Sequence, residues 1–176
     1  MAEAEENFSY KFEWERAGMV IYYSWKQHTK IYAEILAYIL KDKAFALEET
    51  DSRGGLGGFL KGGYQSVTKK ESSVKAIPDI SKEKTLYVCT PIWAANMAPA
   101  VRYFLNHADL RGKTVHMLAT CANASESEAY RQNLLQALKE LDCESGGAYV
   151  FTAVRSEDPE RDVVEEHIKK IITKEE

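Results

Sequence analysis

Apolar residues arrive along this chain in short runs whose internal spacing alternates between two periods. The run 19–23, Met-Val-Ile-Tyr-Tyr, stops at Ser24. Beyond a polar turn, Ile31, Ile35 and Ile39 recur four apart with Tyr32, Leu36 and Leu40 beside them, the spacing of an amphipathic helix. A buried strand, a polar turn and a helix are therefore predicted in that order. The alternation continues. Residues 44–48 form a short apolar run, and 86–93 form a second strong strand near whose end Pro91 stands. Pro99 occupies the first position of a helix striped by Val101, Phe104 and Leu105. Residues 114–120 make a third central strand. Ser125-Glu126-Ser127-Glu128 has the form of a capping box, followed at helical spacing by Tyr130, Leu134, Leu138 and Leu141. Gly146-Gly147 closes that helical region ahead of a last strand over 148–154. Asp158-Pro159 opens a final helix with Val164, Ile168, Ile171 and Ile172 on its apolar side.

Five strands alternating with helices predict a parallel sheet covered on both faces. Right-handed crossovers restrict its topology. In such sheets ligands bind beyond the carboxyl ends of the strands, which singles out the loops 24–29, 90–98 and 120–126. The first of these runs into a helix start, where free N–H groups and the helix dipole favour an anion. Ser24 and Thr29 bracket it with hydroxyls, and Trp25, Lys26, Gln27 and His28 lie between. Two readings remain open from this segment alone: a phosphate site, or a solvated turn in which Thr29 only caps the helix.

Ahead of the first strand, Phe8, Tyr10, Phe12 and Trp14 alternate with Ser9, Lys11, Glu13 and Glu15. Strict period two predicts a half-buried strand. We therefore divide the chain into an arm, 1–18, and one domain, 19–173. Burying each large apolar side chain is worth about 1.5–3 kcal/mol, so the arm is expected to lie on the sheet edge beside 45–48 or across a homodimer interface.

Composition narrows the class. At 176 residues one domain is expected. A net charge of −4 argues against nucleic acid as partner. No apolar run has the length of a membrane span, and the acidic start is not followed by a signal-type apolar core, so a cytoplasmic protein is expected. Three cysteines, Cys89, Cys121 and Cys143, lack CxxC spacing and read as reduced thiols. The four histidines show no metal-ligand spacing, so no metal is expected.

Several segments together carry a resemblance. They are Tyr22-Tyr23-Ser24 with Thr29, then Thr90-Pro91-Ile92-Trp93 followed by Met97-Ala98-Pro99-Ala100-Val101-Arg102-Tyr103-Phe104-Leu105, then Leu110-Arg111-Gly112-Lys113 and Ala119-Thr120-Cys121. The chain resembles the flavodoxins over roughly residues 19–172. The resemblance implies a three-layer flavodoxin-like α/β sandwich whose five-stranded parallel sheet has the order 2-1-3-4-5. It also implies flavin mononucleotide (FMN) as cofactor. The phosphate would lie on Ser24, Trp25, Lys26, Gln27, His28 and Thr29. The ring would be flanked by Thr90, Pro91, Ile92, Trp93, Ala94 and Asn96 on one side and by Cys121, Ala122 and Asn123 on the other. The implied function is electron transfer with a redox protein or a small-molecule acceptor.

The chain also departs from that pattern. Family phosphate loops usually read Ser/Thr-x-Thr-Gly-x-Thr; here Lys26 replaces the middle Thr and Gln27 the Gly. Ala94-Ala95 and Ala122-Asn123 stand where relatives often have Gly. Glycines gather instead at Gly54, Gly55, Gly57, Gly58, Gly62 and Gly63. That stretch is not a Walker loop, and Phe59, Tyr64 and Val67 are expected to pack on the sheet near the active edge. Trp93 is expected beside the ligand, either stacked on it or holding the core. Cys121 is read as a small residue suited to a tight loop rather than a reactive thiol. No catalytic residue is assigned. Two classes follow: an FMN-binding electron-transfer flavoprotein, or a flavodoxin-fold interaction module that does not hold FMN because its loops lack the glycines.

Overall fold

The first strand is buried on both sides because every residue from Val20 to Tyr23 is apolar and alternates between two cores. Val20 and Tyr22 join one cluster; Ile21 and Tyr23 join the other. A computed structural model describes residues 18–50, 64, 68–153 and 161–172. The strands are β1 Gly18–Tyr22, β2 Ala44–Ala46, β3 Thr85–Trp93, β4 Asn96–Met97, β5 Thr114–Cys121 and β6 Glu144–Thr152. The helices are α1 His28–Leu40, α2 Pro99–His107, α3 Ser127–Lys139 and α4 Arg161–Ile172. The sheet order is β2-β1-β3-β5-β6, with every neighbour parallel. The short β4 folds back antiparallel on β3. β1 thus lies between β2 and β3, with Ile21 opposite Phe45 and Val88. The expected parallel sheet and strand order are present.

Helices cover both faces. Val101, Phe104, Leu134 and Leu138 pack on one side against Ile21, Leu86, Val88, Val115 and Met117. Tyr32, Leu36, Val164 and Ile168 pack on the other against Val20, Tyr22, Cys89 and Leu118. Period two along each strand feeds both layers at once. Lys113 is a buried cation whose Nζ donates to the Ile80 and Glu83 carbonyls at 2.8 and 2.7 Å, tying the 80–83 turn to the start of β5.

Some elements differ from their sequence-based boundaries. Gly146-Gly147 does not close a helical region; it lies inside β6, which starts at Glu144. The cause is the His116 ring, stacked on Tyr87 with centroids 4.8 Å apart. A Cβ on Gly146 would come within 2.5 Å of that ring. The β5–β6 register also shifts between Val115 and His116. Glycine is needed at 146 for side-chain clearance and at 147 for its backbone φ of 111°, not for helix termination. The capping box at 125–128 is replaced by Asn123, whose Oδ1 accepts from the Ser125 N–H at 3.1 Å and opens a 3₁₀ turn, Ala124–Glu126, ahead of α3. Tyr64 is 61% exposed rather than packed on the sheet. The aromatic arm 8–14, Phe59, Val67 and Asp158-Pro159 lie outside the described residues.

Gly146→Ala is expected to destabilise the fold by about 1–3 kcal/mol, the usual scale for overpacking. Urea unfolding measures it, and His116→Ala in the same chain should recover most of the loss.

Candidate functional site

The carboxyl ends of β1, β3 and β5 share one edge of the sheet, so the three loops that follow them meet there. The loop after β1 turns sharply. The His28 N–H donates to the Lys26 carbonyl at 2.9 Å, and Gln27 takes a left-handed backbone with φ 66°. Gln27, not Thr29, is the N-cap of α1, and its side chain makes no capping bond. Thr29 is instead buried at 2% exposure, and its hydroxyl oxygen lies 2.8 Å from that of Thr120 at the end of β5. This bond joins the first loop to the third.

Aromatic rings join the first loop to the second. Trp93 meets Tyr23 edge-on at 5.7 Å and Trp25 edge-on at 6.1 Å. Lys26 lies over Trp25, its Nζ 5.2 Å from the ring centre. The second loop is built by Thr90, which is fully buried. Its hydroxyl donates to the Pro91 carbonyl and accepts from the Ala98 N–H, both at 3.0 Å. Thr90 therefore shapes the loop from within. Beyond Trp93 the chain reverses through Ala94 (φ 45°) and Ala95 (φ 65°) to pair Trp93 with Asn96. Two consecutive left-handed residues are the geometry of a tight two-residue hairpin, which glycine ordinarily supplies. Asn96 closes it by donating to the Ala94 carbonyl at 3.0 Å, and Asn133 of α3 donates to the Ala95 carbonyl at 3.0 Å. The positions where relatives often carry glycine thus keep glycine-like backbone without it at Gln27, Ala94 and Ala95. Pro91 and Ile92 are half-buried within β3.

In the third loop, Cys121 is buried and its thiol donates to the Asn123 carbonyl at 3.4 Å. Burial pushes its pKa up, which opposes a thiolate. Ala122 and Asn123 are exposed. Asn123 accepts from Ser125 and donates to Glu126 at 2.9 Å. Glu126 in turn accepts from the Tyr130 phenol.

Two polar atoms at the first loop remain unsatisfied. Ser24 Oγ and His28 Nδ1 are buried and have no hydrogen-bond partner among the described residues. Buried polar atoms normally have one. The first turn of α1 carries no acidic residue, so its dipole end is open to an outside anion. Ser24, Trp25, Lys26, Gln27, His28 and Thr29 are therefore gathered at one helix start. Sequence reasoning placed Thr120 and Ala95 in the ligand loops without a role for either and missed Asn133, because each acts through a contact distant in the chain. No helix among the described residues is long and apolar enough to cross a membrane, and no group of metal-ligating side chains occurs among them.

No protein-family model and no curated protein matches the chain. Solved structures do. A Bacteroides uniformis protein classed as a flavoprotein superposes with a TM-score of 0.69 at 21% identity, covering 88% of this chain and 99% of that one. A Lactobacillus acidophilus flavoprotein in complex with FMN gives 0.61 at 18%, covering 76% and 91%. Oxidised flavodoxin 1 from Bacillus cereus gives 0.53 at 11%, covering 90% and 98%. The fold is flavodoxin-like. At these identities the likeness establishes architecture.

Two outcomes follow from the site geometry. A non-glycine residue in the left-handed region costs about 1–2 kcal/mol, against about 0.5–1 kcal/mol for the entropy of glycine. Ala95→Gly should therefore raise stability by about 0.5 kcal/mol in denaturant unfolding, and Ala95→Val should lower it. The Tyr130 phenol is pushed up to about 12 by its bond to Glu126, with burial adding to the effect. A raised folded pKa means that its contribution is complete below the ordinary tyrosine value. It is lost as pH rises from about 10 toward that folded value. Tyr130→Phe should flatten the alkaline limb of the stability profile, measured as melting temperature against pH.

Proposed function

We propose that the chain binds FMN at the carboxyl edge of its sheet, phosphate on the loop 24–29, and works as an electron-transfer flavoprotein. The observation that carries this reading is the pair of orphaned atoms, Ser24 Oγ and His28 Nδ1, at a helix start without a first-turn acid. A phosphate would satisfy both. The Ser24 hydroxyl donates to an oxyanion, and the His28 ring donates through Nδ1 when that nitrogen holds the proton. Lys26, exposed beside them, adds a point charge. The FMN complex of the similarly folded Lactobacillus acidophilus flavoprotein supports the assignment of this cofactor class.

Trp93, Ala94 and Asn96 would flank the ring on one side, and Ala122 and Asn123 on the other. When bound, FMN supplies reversible one- or two-electron chemistry. The protein's share is to hold the group: the Tyr23–Trp93–Trp25 cluster stiffens one wall, and the Asn123–Ser125–Glu126 bonds stiffen the other. Burial raises the pKa of Cys89, Cys121 and Cys143 alike, which disfavours a thiolate at any of them. Electrons would pass to a redox protein or a small-molecule acceptor. The replacement of loop glycines is a cost in backbone strain, and the left-handed turns persist at Gln27, Ala94 and Ala95.

The test is a flavin titration of the purified, cofactor-stripped protein. One FMN per chain should bind, quenching both flavin and tryptophan fluorescence and colouring the protein yellow. Lys26→Ala should weaken binding several-fold at low salt and little at high salt, because an exposed charge pair is screened. A colourless protein that leaves FMN fluorescence unchanged would overturn the reading in favour of a flavin-free interaction module.

A further inference from the structure

We infer that Thr120 is a positioning residue for the phosphate site: its hydroxyl donates to Thr29 Oγ1 and so directs the Thr29 proton at an oxyanion bound at the start of α1. The inference rests on the reading of 24–29 as that site. Thr29 and Thr120 are 2% and 6% exposed, with their oxygens 2.8 Å apart. Each hydroxyl has one proton to give. One proton is shared between the two oxygens. The second has no acceptor among the described residues, although both side chains are buried.

A buried donor without an acceptor is costly, so an acceptor belongs beside this pair. Which hydroxyl keeps the free proton depends on the direction of the bond. If Thr29 donated, the free proton would lie on Thr120, on the strand. If Thr120 donates, the free proton lies on Thr29, in the first turn of α1, in the same short loop as the orphaned Ser24 Oγ and His28 Nδ1. An oxyanion at the helix start selects the second arrangement. Thr120 suits the task because it cannot shift easily: its strand is paired on both sides, with Pro91 and with Phe151. The Thr29 rotamer is thus set by the sheet rather than by its own loop.

Thr120→Val keeps the shape and removes the hydroxyl; Thr120→Ser keeps the hydroxyl. Both are titrated, as stripped proteins, with FMN, with riboflavin (which lacks the phosphate) and with inorganic phosphate followed by melting temperature. Thr120→Val should lose several-fold in FMN affinity, less than the roughly tenfold or greater loss of a whole hydrogen bond to a charged group, because the Thr29 hydroxyl remains but is no longer aimed; riboflavin affinity should not change. Thr120→Ser should retain most of the FMN affinity. The double variant Thr29→Val/Thr120→Val should bind FMN no more weakly than Thr29→Val alone. Phosphate should raise the melting temperature of the wild type more than that of Thr120→Val. Equal losses for FMN and riboflavin, no loss, or additive losses in the double variant would overturn the inference. Phosphate protection that depends on Thr120 without any flavin binding would uphold it and refute the FMN reading. A wild type that binds neither flavin nor phosphate refutes both. Where Thr120→Val does not fold, Thr120→Ala carries the same expectations.

Discussion

A strand with both faces buried can keep a polar side chain only where a hydrogen-bond partner meets it. β1 is such a strand: Val20 and Ile21 are completely shielded, on opposite faces, between two helical layers. Its polar chemistry is therefore displaced to its ends. Because β2, β1, β3, β5 and β6 are all parallel, their carboxyl ends lie on one edge. The loops that can carry function are gathered by this single constraint, and the gathering needs no specific contact between them.

Specific contacts then turn a collection of loops into a shaped site. One is the Thr29–Thr120 bond, which ties the loop after β1 to the end of β5. Another is the edge-on meeting of Trp93 with Tyr23 and Trp25, which ties the loop after β3 to the loop after β1. Asn133 ties the hairpin at Ala94-Ala95 to α3. Each spans elements far apart in the chain, so the shape of the site depends on the whole sheet being assembled. Backbone strain is stored in the same places. Gln27, Ala94 and Ala95 hold left-handed conformations that side chains disfavour, and strain of this kind persists only where the surroundings over-determine it.

Much of this was legible in the residues. The period of four after Thr29, the two-sided apolar runs and Pro99 at the first position of α2 marked the elements, because hydrophobic burial and backbone geometry act over short distances. The loop 24–29 was legible for the same reason: it is one strand end and one helix start, contiguous in the chain. Parallel topology followed from the alternation of strands and helices.

What the residues did not reveal required a partner from elsewhere. Thr29 looked like a cap or a phosphate ligand; only the approach of β5 showed that its hydroxyl is shared with Thr120. Gly146-Gly147 looked like a helix stop; only the His116 ring above it explained glycine inside a strand. The sequence by itself determined which segments become strands and helices and which ends carry polar groups, since those depend on neighbours within a turn or two. The tertiary structure decided which hydroxyls remain available, which glycines are spaces and which alanines are turns, because each of these is set by a side chain brought in from a distant part of the chain.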